Sequence, residues 1–426
     1  MSLSRPAKLV VEDLAEPQFT DEINEIRAML QPLGEAVDLT PMALSAEARS
    51  QTGLDDFGDD QAWSERLDVL CNALVSEANL GGIGRFNVQQ TLLQLLRNRL
   101  LVTDLLAQHP EIHDVVIQPP IVIVGQPRTG TTHLHNLISA DPALRSLPYW
   151  ESLQPVLGPA GRASVAAGEP DPRLAETDAS IEFINAAMPE FRRMHEMTTW
   201  HVHEEIQLLA IDLSTMLFET MAPMPMWRDY YRSHDQTPSY EYMKTLLKVM
   251  QWSRGGSRWV LKSPQHLEQL VPLMNVFPDA TVAITHRDPV AVTASLTMML
   301  SYSARMTFDR PNPIAIGTYW AERNAMMLLD CLRDRAVVPA AQSVDVRFDE
   351  FMADDMAVVE QIYEVADQPL PQSSRDAIAD YVATHPRGRY GAVAYSLQQF
   401  GLDEKALRET FKPYVERFGI TQETLE

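Results

Sequence analysis

The chain has 426 residues, 45% of them hydrophobic, and a formal net charge of −23. Such acidity excludes a general nucleic-acid binder, because phosphate backbones need basic surfaces. No apolar run approaches the roughly 18 residues of a membrane span.

The first residues carry Glu12, Asp13 and Glu16 and lack an apolar stretch, which speaks against a signal peptide. Cys71 and Cys331 are the only cysteines. They offer neither a disulfide framework nor a zinc spacing, which fits a reducing cytoplasm. An anionic ligand would have to be held by cations gathered against the overall field.

Residues 1–115 read as a helical N-terminal region. Asp21 to Leu30 has helical apolar spacing and is expected to end before Pro32, and Trp63 to Leu80 and Val88 to Gln108 are similar. Pro119-Pro120 closes this part. Residues 116–426 read as an α/β domain with a helical insertion at about 155–255. Ile121-Val122-Ile123-Val124 is a β-branched run bounded by Pro and Gly, the pattern of a buried strand. Trp259-Val260-Leu261, Thr281 to Ile284 and Val344 to Phe348 resemble it. Helical stretches at Val290 to Arg305, Ile314 to Asp334 and Met352 to Ala366 alternate with these strands. The fold class is therefore α/β, a P-loop-like parallel sheet flanked by helices. Pro155 to Asp178 is rich in Gly, Pro and Ala and reads as a mobile loop.

The sharpest feature is Gly125-Gln126-Pro127-Arg128-Thr129-Gly130-Thr131-Thr132, between the first strand and a helix opening near Thr132. Such a turn aims several backbone N–H groups at one point, and the helix N-terminus adds positive potential. The spacing follows a nucleotide phosphate loop, except that Thr131 stands where an NTPase has its lysine. Further on, Lys262 ends one strand and Arg287 another, where α/β sheets place ligand groups. Arg287 can grip a phosphate with two bonds, and Ser295 follows two helical turns later, on the same side.

The run Pro127-Arg128-Thr129-Gly130-Thr131-Thr132 resembles the 5′-phosphosulfate loop of the sulfotransferase superfamily, in its bacterial and tyrosylprotein-type form. The strand ending in Lys262 and the run Thr285-His286-Arg287-Asp288-Pro289 with Ser295 are similar to the family's second and third motifs, in the family's order. The resemblance implies a sulfuryl donor, 3′-phosphoadenosine 5′-phosphosulfate (PAPS), with no metal. It places Arg128 near the bridging oxygen and Thr129, Gly130, Thr131 and Thr132 around the 5′ phosphate. His133 stands where the cytosolic branch has Trp. Lys262 falls beside the sulfuryl group, and Arg287 and Ser295 fall at the 3′ phosphate. Arg387-Gly388-Arg389 resembles the late loop that closes on that phosphate. The likeness covers roughly residues 119 to 415.

Three candidates are open for the general base. Glu151, beside Tyr149-Trp150, resembles the catalytic Glu of tyrosylprotein-type enzymes, and a carboxylate buried among aromatics gains basicity. His266 follows Lys262 by four residues. His201 and His203 are the third option; their two-residue spacing in helical surroundings does not suit a metal. The 20 methionines cluster at Met216 to Met226, Met243, Met250, Met298, Met299, Met306, Met326 and Met327. They fit either a plastic pocket for an apolar hydroxyl acceptor or ordinary core. A small-molecule kinase and a non-catalytic nucleotide or lipid binder are the rival functions. The N-terminal helices are open to three roles: lid, homodimer surface or acceptor pocket.

Overall fold

A computed structural model describes residues 8–58 and 62–424. A short strand β1 (Leu9–Val10) precedes helices α1 (Asp21–Glu35), α2 (Pro41–Thr52), α3 (Ala62–Ser76) and α4 (Gly82–Gln108). The phosphate loop joins β2 (Ile121–Val124) to α5 (Thr131–Ser139). A helical stretch follows: α6 (Tyr149–Leu153), α7 (Pro159–Ala166), α8 (Pro172–Ala187), α9 (Ile206–Ile211), α10 (Pro225–Ser233) and α11 (Thr237–Arg254). Next come β3 (Val260–Ser263), α12 (Leu270–Val276), β4 (Thr281–His286), α13 (Pro289–Ser303), α14 (Pro313–Asp334) and β5 (Ser343–Arg347). The chain closes with α15 (Phe348–Ala353), α16 (Asp355–Val365), α17 (Gln372–Thr384), β6 (Val393–Ala394) and α18 (Glu404–Phe418).

Strands β3, β2, β4 and β5 form one parallel sheet in that order. Every residue of β2, β3 and β4 is buried, as a sheet covered on both faces requires. Val122, Val124, Leu261, Val282 and Ile284 face a core shared with α4, α11, α13 and α14. The alternate residues Ile121, Ile123, Val260 and Ala283 pack on α5, α16 and α17. The N-terminal helices therefore share a core with the sheet.

Two sequence expectations change. Helix α1 continues through Pro32, because packing on α4 outweighs the one hydrogen bond that proline removes. The stretch 155–178 is not a bare loop: Pro159 starts α7, and Asp171 caps α8 by accepting from the Arg173 N–H. The clustered methionines are mostly core. Met216, Met224, Met243, Met250, Met298 and Met327 are buried within packed clusters.

Helices α1 and α4 touch at Gly34. A Cβ there would lie 1.7 Å from the Gly82 carbonyl oxygen. Backbone cannot retreat as a side chain can, so Gly34→Ala is expected to cost about 3 kcal/mol of stability. Denaturant unfolding checks this, and a wild-type midpoint would refute the close packing.

Candidate active site

The phosphate loop is locked in one shape. Gly130 caps α5 at φ 92°, a left-handed conformation suited to glycine. A Cβ on Gly125 would lie 2.1 Å from the Thr285 hydroxyl, so the loop lies tight against β4. Thr129 turns inward; its hydroxyl donates to the Gln126 carbonyl at 2.6 Å and meets the Thr285 hydroxyl at 2.6 Å. Thr129 therefore staples the loop, and its side chain does not reach the cavity as the resemblance had implied.

Arg128 holds φ 76°, which costs a non-glycine residue on the order of 1–3 kcal/mol. Three contacts keep it there. Its Nε donates to Ser295 Oγ at 3.0 Å, its Nη1 donates to the Met194 carbonyl, and its own carbonyl accepts from Arg287 Nη1 at 2.8 Å. Burial, with the Arg287 charge adding, lowers its pKa, yet a guanidinium stays charged. Ser295 thus sits behind Arg128.

A cavity of about 360 Å³ opens above the loop. Gly130, Thr131, Thr132 and His133 form its floor, and six arginines line it: Arg128, Arg192, Arg193, Arg287, Arg387 and Arg389. Glu196 is the one carboxylate residue in that lining. In a chain of net charge −23 these cations are gathered against the overall field, and Arg193, Arg287, Arg387 and Arg389 each pair with a carboxylate. Arg387 donates to Asp355 at 2.7 Å and to His133 Nε2 at 2.9 Å, and Arg389 pairs with Glu196. These contacts hold the late loop over the cavity. Arg287 stacks on Phe348 at 4.1 Å and carries the Glu423 carboxylate through two bonds of 2.6 and 2.7 Å.

A second cavity of about 380 Å³ shares Arg128, Thr132, Asn136, Met194, Glu196, Tyr381, His385 and Arg389 with the first. Its other walls include His195, Thr198, Trp200, His201 and Val202. Behind it, Lys262 Nζ pairs with Glu204 and lies 3.5 Å from Thr132 Oγ1. Lys262 is itself buried and lines neither cavity, and it reaches the phosphate loop from the end of β3.

The two leading base candidates lie elsewhere. Both oxygens of Glu151 accept from Arg145 at 2.8 Å, and Arg254 adds a third bond at 2.8 Å. This carboxylate is buried, lines neither cavity, and neutralises two guanidinium groups. His266 is also buried, between Glu205 at 2.6 Å and the Tyr240 hydroxyl at 2.7 Å. His203 is buried too, its ring edge-on to Tyr149. Among the described residues, no group of three or more His, Cys, Asp or Glu could hold a metal ion.

The sequence pattern of the sulfotransferase family matches residues 119–372. The chain belongs to that family. The enzyme superposes on the crystal structure of sulfotransferase STF1 from Mycobacterium tuberculosis with a TM-score of 0.76 and 31% identity. That match covers 88% of this chain and 98% of the other. Sulfotransferase STF9 from Mycobacterium avium gives a TM-score of 0.80 at 27% identity, over 91% and 99% of the two chains. The omega-hydroxy-beta-dihydromenaquinone-9 sulfotransferase Stf3 of Mycobacterium tuberculosis is 22% identical over 330 residues, 73% of this chain and 78% of its own.

Several residues that line the two cavities of the sulfotransferase belong to no motif. Arg192 and Arg193 carried one signal, adjacent arginines in an acidic chain. His195, Asn136 and Glu196 carried none, because the irregular segment after α8 brings two of them to the cavity and Asn136 is one polar residue among many on α5.

Proposed function

We propose that the enzyme binds PAPS above the phosphate loop and transfers its sulfuryl group to the hydroxyl of a small apolar acceptor in the second cavity. The observation that carries this reading is the gathering of six arginines around one cavity above the phosphate loop. A bisphosphorylated nucleotide bearing a phosphosulfate supplies the matching charge. Backbone N–H groups of Gly130 to Thr132 at the head of α5 hold the 5′ phosphate. Arg287 holds the 3′ phosphate, and Arg387 and Arg389 close over it. Ser295 acts through Arg128. The acceptor oxygen bonds to sulfur as the bond from sulfur to the bridging oxygen breaks, and the leaving phosphate keeps the electron pair. Arg128 and Lys262 stabilise that charge.

Trp200, Val202 and Met194, set among the polar and charged walls of the second cavity, support an apolar acceptor. So does the acceptor named for the Mycobacterium tuberculosis relative, an omega-hydroxy dihydromenaquinone. Among the described residues, no helix is long and apolar enough to cross a membrane. The free, buried Cys71 and Cys331 fit a reducing cytoplasm.

Thermal stability with adenosine 3′,5′-bisphosphate, alongside ATP with Mg²⁺, tests the donor site. At 100 times its dissociation constant the bisphosphate is expected to add about 2.7 kcal/mol. Stabilisation by ATP alone would overturn the donor assignment.

A further inference from the structure

We infer that His201 is the general base of the transfer. The assignment rests on the donor and acceptor sites proposed above. His201 lines the second cavity, whose wall includes Arg128 and Thr132 of the phosphate loop. Among the described residues its Nε2 is buried without a hydrogen-bond partner. A buried imidazole nitrogen with no partner is costly, and in an active site it marks a group kept for a ligand.

The neighbouring carboxylates are committed elsewhere. Glu204 pairs with Lys262, and Glu205 takes the Lys262 backbone N–H and His266. Glu196 accepts from Arg389 and Tyr390, and Glu151 holds two arginines. The rings of His195 and His203 stand edge-on to His201 at 5.2 and 5.7 Å, fixing it from both sides. Tyr149 anchors the segment by donating its N–H to the His201 carbonyl at 2.9 Å.

Burial, with the Lys262 charge adding, pushes His201 down to about 3, so before the donor binds the ring is neutral and only weakly basic. His195 and His203 are also held well below the usual range, chiefly by burial, and bring no competing charge. The donor anion opposes Lys262 and so raises the basicity of His201 once bound. In the step itself the acceptor O–H bond breaks and its proton passes to the imidazole. The oxygen forms its bond to sulfur, and the bisphosphate leaves with the electron pair of the broken bond.

The test compares His201→Ala with wild type on two acceptors, farnesol and 4-nitrophenol. Farnesol must lose its proton during transfer, whereas 4-nitrophenol is largely ionised beforehand. Removing a general base is expected to slow farnesol sulfation about 100-fold. Turnover of 4-nitrophenol is spared, and added imidazole restores part of the farnesol rate. Stabilisation by adenosine 3′,5′-bisphosphate stays at the wild-type level, which shows that the variant folds and keeps its donor site. Equal losses on both acceptors, or no loss on farnesol, would overturn the assignment. So would the same acceptor-dependent loss in Glu204→Gln with His201 intact. A wild-type enzyme that the bisphosphate does not stabilise would overturn the donor reading, and the base with it.

Discussion

Lys262→Met lowers turnover about 1000-fold while leaving affinity for adenosine 3′,5′-bisphosphate nearly unchanged. Lys262 Nζ lies 3.5 Å from Thr132 Oγ1, behind the loop proposed to hold the 5′ phosphate. The bisphosphate product carries no sulfuryl group, so it offers little for this ammonium to hold. In the transition state, charge grows on the oxygen between phosphorus and sulfur, and a buried cation already in place stabilises it without reorganisation. Methionine keeps most of the stem that runs through the core and removes only the charge. Glu204 loses its partner but is 19% exposed, so water can solvate it and the fold survives. Single-turnover rates on bound donor give the comparison. A rate within tenfold of wild type would remove Lys262 from the chemistry, and weakened bisphosphate binding would recast it as a binding group.

Arg287→Ala weakens the bisphosphate about 100-fold, the equivalent of about 2.8 kcal/mol. The side chain lines the donor cavity from the end of β4, is steadied by Phe348, and supports the strained Arg128 through its carbonyl. Two bonds to a phosphate would replace the two now made to Glu423. Calorimetric titration measures the loss. Glu423→Gln is the control, since it also frees the C-terminal segment from Arg287 but leaves the arginine in place. If both variants bind equally poorly, the loss comes from the loosened segment, and Arg287 is not the phosphate ligand.

Much of the donor side was legible because its determinants are local. The run Ile121–Val124, the glycines at 125 and 130, and the threonines after them define a strand, a tight turn and a helix start within a dozen residues. Lys262 and Arg287 are strand-end residues, and a parallel sheet brings such ends together. The acceptor side was not legible in the same way. Glu151 shows its aromatic neighbours in sequence, but Arg254, one of its two partners, arrives from 103 residues away. Charge neutralisation of that kind has no local signature. His266 has the right element and the wrong neighbours: Glu205 and Tyr240 enclose it from outside its own segment. The histidines at 195 and 201 meet in irregular backbone, where no periodicity exists to place them on a common face. Thr129 was misread for a simpler reason, since a motif specifies a residue type but not the direction of its side chain.

The shared core of α4 and the sheet bears on what counts as the smallest working enzyme. The family pattern begins at residue 119, yet Val122 and Val124 of the sheet belong to one core with leucines of α4 that precede that boundary. A fragment cut at the family border would lose the α4 part of that core. Catalytic competence in this chain is therefore expected to need more sequence than the stretch that the family pattern matches.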